Sequence, residues 1–170
     1  GTAPIGFFKG MIASYRQAQC IPTAASGPIS DKVCRRNADG SIKYYYDALK
    51  NYRMTGGNEL LKTYTFLIGL AQRESSGNYT EGLDVYSDQP WTAERTEAGA
   101  FQISYDGMNA HPELKQIYER YRAHPELCLK DVYSEGVKIK SGGYIGSGPG
   151  REFQEFVRSC PGIQAPLAAI

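Results

Sequence analysis

The chain has 170 residues, 41% of them hydrophobic and 22% charged, with a net charge of +1. Those figures suit one soluble domain over residues 1–170, long enough to bury a sizeable core. No apolar run approaches the ~18 residues of a membrane span, and no global field points to nucleic acid or a membrane surface.

Residues 4–18 carry Ile5, Phe8, Ile12 and Tyr15 at helical spacing, and the pattern ends near Cys20-Ile21-Pro22. Ala24 to Ile29 reads as loop, and Asn37-Ala38-Asp39-Gly40 is a turn signal. Two readings of the next segment compete: a short strand at Tyr44-Tyr45-Tyr46, or a helix from Asp47 to Met54. Gly56-Gly57 then breaks the chain before the helix around which the remainder is organised. Asn58 is a good N-cap, and Glu59 puts an anion in the first turn, where the helix dipole favours it. Leu60, Tyr64, Leu67, Ala71 and Glu74 recur on one face, and Gly77 supplies a stop.

Glu74 therefore extends an apolar stripe. A carboxyl there meets desolvation and the negative end of the dipole, both of which favour the protonated form that a general acid needs. The competing reading is a capping glutamate, or one ion-paired with the adjacent Arg73.

From Tyr79 to Ile103 helical periodicity is lost, which predicts an irregular lobe with a short hairpin. Helical spacing returns through Leu114, Ile117, Tyr118 and Tyr121. The repeated tetrads His111-Pro112-Glu113-Leu114 and His124-Pro125-Glu126-Leu127 place proline and an acid where helices start. Gly142 to Gly150 is a glycine-rich turn without the Lys-Ser/Thr of a phosphate loop. Its glycines let backbone, and Tyr144 with it, approach a substrate cleft. Phe153, Phe156 and Val157 mark a last helix ending by Cys160-Pro161.

Four cysteines occur, with no CxxC pair and no Cys/His cluster at zinc spacing. Three disulfide pairings are open, the simplest being Cys20–Cys34 with Cys128–Cys160; four reduced buried thiols are the alternative. Oxidised cysteines would suit an exported chain, secreted or periplasmic, whose signal peptide has been removed.

Between Glu74 and Asp106 lie seven of the eighteen acids, against one base, Arg95. A solvated acidic loop is the plain reading. The spacing fits no EF-hand, so neither a metal nor another cofactor is expected. A cleft of negative potential, attracting a neutral to cationic ligand such as an amino sugar, is the functional reading. Glycoside hydrolysis needs one acid beside the scissile oxygen and often a second carboxylate. Glu74 supplies the first, and Asp84, Asp88 and Glu97 are candidates for the second. Tyr79, Tyr86, Trp91, Phe101 and Tyr105 interleave with these acids and could stack on sugar rings, although core packing serves Phe101 equally well.

Two segments, Ala71-Gln72-Arg73-Glu74-Ser75-Ser76-Gly77 and Glu97-Ala98-Gly99-Ala100-Phe101-Gln102-Ile103-Ser104, resemble the catalytic motif pair of soluble lytic transglycosylases and goose-type lysozymes. Glu74 matches the catalytic acid of that family, and Gln102 its cleft-lining glutamine. Ser147-Gly148-Pro149-Gly150 is faintly similar to a third motif but lacks its Tyr-Asn pair. Ala100-Phe101 departs from the Leu-Met of the transglycosylases, and the intervening lobe is longer and more acidic. The fuller pattern is similar to a branch of bacterial lysozyme-like proteins that includes one acting on de-N-acetylated peptidoglycan.

The resemblance implies a predominantly α, α+β lysozyme-like fold with a small irregular or β lobe beside a central helix. It implies a monomeric, cofactor-free muramidase cleaving β-1,4 bonds of peptidoglycan, with a preference for glucosamine-containing glycan. Glu74 would be catalytic, and Tyr79, Asp84, Asp88, Glu97, Phe101, Gln102 and Tyr144 would bind substrate. A lytic transglycosylase, a chitosanase, and a glycan-binding domain without activity are the alternatives.

Overall fold

A computed structural model describes residues 2–20, 59–83 and 91–170. This part is mostly helical: α1 (Ile5–Cys20), α2 (Glu59–Ser75), α3 (Pro112–Ala123), α4 (Lys130–Tyr133), α5 (Gly148–Ser159) and α6 (Gln164–Ala168), with 3-10 turns at Asp106–Asn109, Pro125–Cys128 and Pro161–Ile163. Among the described residues the sole pairing of β type is an isolated antiparallel bridge, Ala98 to Ile103. The choice between strand and helix at residues 44–54, and the Cys20–Cys34 pairing, lie outside the described residues.

The stripe of α2 is buried from Leu60 through Tyr64 and Leu67 to Ala71, as its spacing predicts. Helix α1 is turned differently from its most obvious stripe. Ile5, Phe8 and Ile12 face outward, while Phe7, Met11 and Ser14 are buried. The reason is a notch. A Cβ on Gly10 would lie 2.5 Å from the Tyr133 ring, and one on Gly6 would meet the Tyr133 and Glu135 backbone. The two glycines sit one turn apart and let α4 press against α1. The Tyr133 hydroxyl then pairs with Ser14 Oγ at 3.0 Å, and Tyr64 donates to the Ser14 carbonyl at 3.2 Å.

Both His-Pro-Glu-Leu tetrads start helical turns. His111 caps α3, its Nδ1 accepting the Glu113 amide at 3.3 Å, and Pro125 opens a 3-10 turn. Leu114, Ile117, Tyr118 and Tyr121 form the buried face of α3 and pack with Phe153 and Val157 of α5. This second cluster meets the α1–α2 core at Ile103 and Ile170, which pack against both. Cys128 and Cys160 form a disulfide that ties the Pro125 turn to the end of α5. No helix among the described residues is long and apolar enough to cross a membrane.

Candidate active site

Helix α2 ends where Ser76 and Gly77 take successive left-handed conformations, φ 56° and 71°. The Gly77 amide reaches back to the Ala71 carbonyl at 3.0 Å. This reversal stops the buried stripe at Ala71 and leaves Glu74 exposed, contrary to the expectation of a buried carboxyl. Nor is Glu74 locked to Arg73. Among the described residues neither side chain makes an ion pair or hydrogen bond.

What stands beside Glu74 is a groove of about 500 Å³, lined also by Arg73, Ser75, Ser76, Asn78, Glu81, Lys138 and Lys140, with Thr2, Pro4 and Gly136. Three threads hold its walls in register. Ser75 Oγ donates to the carbonyls of Ala71 and Ala100, at 3.1 and 2.9 Å, fastening the end of α2 to the Gly99–Gln102 turn. The Glu81 carbonyl accepts the Gly99 amide at 2.8 Å, tying that turn to the groove wall. Lys140 Nζ lies 2.6 Å from each oxygen of Glu81.

The Gly99–Gln102 turn hangs from a buried amide. Gln164, 2% exposed, accepts the Ala100 N–H at 2.8 Å and donates to the carbonyls of Tyr79 and Val157 at 3.0 and 2.6 Å. A Cβ on Gly99, where φ is +82°, would stand 2.7 Å from the Gln164 amide carbon. Only glycine meets both conditions.

The far wall is held by Arg158, 4% exposed, whose guanidinium faces neutral oxygens. It donates to the carbonyls of Thr80 (2.9 Å), Lys140 (2.7 Å) and Gly142 (2.7 Å). Burial pulls its pKa below the ordinary arginine value, so these bonds offset a real desolvation cost.

The sequence candidates separate on this frame. Glu74 lines the groove. Tyr79 does not: it is 1% exposed, its ring stacks edge-on against Tyr133, and its buried hydroxyl has no hydrogen-bond partner. Burial raises its pKa. Phe101 is likewise core, packed with Tyr64 and Leu67. Gln102, at φ 51°, folds its side chain back onto the Gly99 carbonyl at 2.9 Å. Glu97 is partly buried next to the Ala98 bridge and does not line the groove. Tyr144 sits between Arg158 and Arg151, whose guanidinium carbons lie 4.1 and 4.5 Å from its ring centroid. Asp84 and Asp88 are outside the described residues.

The groove's charge also departs from expectation. Its described lining holds two carboxylates, Glu74 and Glu81, against three cations, Arg73, Lys138 and Lys140. Glu81 is one of the seven acids the sequence gathers. Lys138 and Lys140 carry no periodic or motif signal and escape sequence reasoning altogether. No cluster of three or more His, Cys, Asp or Glu able to hold a metal occurs among the described residues. Comparison with protein families, with curated proteins and with solved structures gives no match to this chain.

Proposed function

We propose that this chain is a lysozyme-like glycosidase that cleaves the β-1,4 bonds of peptidoglycan, with Glu74 as the general acid. The observation that carries the reading is the Ser75 bridge. One hydroxyl joins the two motif segments, and the residue next to it presents an unpaired carboxyl to a groove of glycan-binding size.

Glu74 is exposed where it lines the groove, so a bound glycan would complete its environment. A sugar chain filling the groove excludes water from around the carboxyl and the scissile oxygen. The proton passes to the bridging oxygen as the bond to the anomeric carbon breaks; water then adds to that carbon and gives a proton back to the Glu74 carboxylate. Glu81, charge-compensated by Lys140, is the second carboxylate of the described lining. The Cys128–Cys160 disulfide supports an exported setting. A preference for de-N-acetylated glycan rests on Asp84 and Asp88, and the described lining lends it no support.

Glu74→Gln is expected to keep fold and binding while release of soluble fragments from cell walls falls by ~10²–10⁴-fold, the usual cost of removing a general acid. Clearance of walls at the wild-type rate by this variant would end the reading. Binding of wall fragments by a wild-type protein that releases no sugars would point to a glycan-binding domain instead.

One observation favours a second reading. Both oxygens of Glu81 are engaged by Lys140, leaving Glu74 as the single unengaged carboxylate of the described lining. A lytic transglycosylase needs no more than that, since the sugar's own hydroxyl replaces water. Mass spectrometry separates the two: reducing ends mark hydrolysis, and anhydro ends mark the transglycosylase.

A further inference from the structure

One wall of the groove is built from Lys138 and Lys140, and its position is fixed by the backbone. The Lys138 carbonyl accepts from Asn78 Nδ2 at 3.2 Å, the Lys140 amide donates to Thr80 Oγ1 at 3.0 Å, and the Lys140 carbonyl accepts from Arg158 at 2.7 Å. Alternate residues Lys138 and Lys140 line the groove, whereas Ile139 between them is 64% exposed and does not. The two lysines have different partners. Lys140 is committed to both oxygens of Glu81. Lys138 makes no ion pair among the described residues, and neither does Arg73. With Glu81 and Lys140 cancelling, two cations and one carboxyl of the described lining remain to meet a ligand. Once that carboxyl carries the proton it donates, the described lining is left with cations alone.

A neutral polysaccharide offers such a pair no opposite charge, and a polymer of glucosamine adds charge of the same sign. Peptidoglycan offers carboxylates, on the lactyl ether of its muramic residues and on the peptides attached there. We infer that Lys138 and Arg73 bind a carboxylate carried by the glycan and so select acidic wall strands over neutral or cationic polymers. The assignment rests on the reading of this groove as the glycan-cleaving site. Charge-assisted contacts of this kind are directional and weaken with salt.

The test uses Glu74→Gln protein, which binds without turnover. Calorimetry compares strands bearing peptides, strands stripped to the lactyl carboxylate, and each after amidation of its carboxylates; chitosan oligomers form a further arm. Amidation is expected to weaken binding by about tenfold at low salt, a typical net value for a hydrogen bond to a charged group. Adding Lys138→Gln or Arg73→Gln should erase most of that difference, lowering affinity for native strands far more than for amidated ones. Loss of the discrimination on stripping assigns it to peptide carboxylates, and its persistence assigns it to the lactyl group.

Equal binding of native and amidated strands, discrimination untouched in both variants, or tighter binding of chitosan would overturn the inference. Wild-type protein that discriminates but cleaves nothing would sink the glycosidase reading and leave this one standing. Cleavage without discrimination would do the reverse.

Discussion

Replacing Gln164 by leucine should loosen the groove from a point that never touches it. The side chain serves three backbone groups from three separate segments: the Ala100 amide and the Tyr79 and Val157 carbonyls. Leucine fills nearly the same space with no polar atom, so all three groups lose their partner inside the core. An orphaned buried group costs about 1–3 kcal/mol, giving about 6 kcal/mol for three at mid-range. Burial of the leucine side chain returns about 2 kcal/mol of this. The net loss is then about 4 kcal/mol, or a melting temperature lower by roughly 8–16 °C for a chain of this size. Urea unfolding of both proteins, with the slope checked for constancy, measures it directly. A loss below about 1 kcal/mol would refute the claim that this amide suspends the Gly99–Gln102 turn. Gln164→Glu is an internal control. It keeps the acceptor for Ala100 but turns a carboxylate on two carbonyls, so its folded-state pKa should be raised. Its stability should therefore be highest in acid and fall as pH rises.

Ser75→Ala removes the bridge between the motif segments. A loss of about 1 kcal/mol in stability is expected, with a larger fall in cleavage; unchanged turnover would show that the bridge does not position Glu74. Replacing Cys128 and Cys160 together by serine opens a cross-link of sequence separation 32, for which chain entropy predicts a loss of about 4 kcal/mol. A melting temperature within a degree or two of wild type would contradict it. Alkaline unfolding should follow the buried phenols. Burial pushes Tyr121 up to about 12 and raises Tyr64 and Tyr133 as well. Unfolded tyrosine titrates near 10, so the stability they contribute is complete below about pH 10 and is lost as pH rises through about 12. A urea midpoint flat across that window would count against it.

Local pattern carried the α2 stripe, the starts at both His-Pro-Glu-Leu tetrads and the Cys128–Cys160 pair, because each depends on neighbours along the chain or on few alternatives. It failed at Glu74 because helical spacing does not register where a left-handed turn interrupts it. In α1 the spacing of Ile5, Phe8 and Ile12 is real, yet the side that packs is chosen by Tyr133, more than a hundred residues away. Tyr79, Phe101 and Tyr144 show the ambiguity of aromatic residues: two fill the core and the third is gripped by two arginines, and nothing local distinguishes those fates from stacking on sugar. The lysines of the far wall and Gln164 lie in stretches without periodicity, so their roles exist only in three dimensions.

Arg158 gives the far wall an unusual tolerance. Peptide oxygens neither gain nor lose protons across the range in which carboxylates titrate, so nothing Arg158 holds is discharged by acid. The chain at Thr80, Lys140 and Gly142 therefore stays gathered about the guanidinium on acidification. Acid would then cost the protein carboxylate charge well before it altered the shape of this trough.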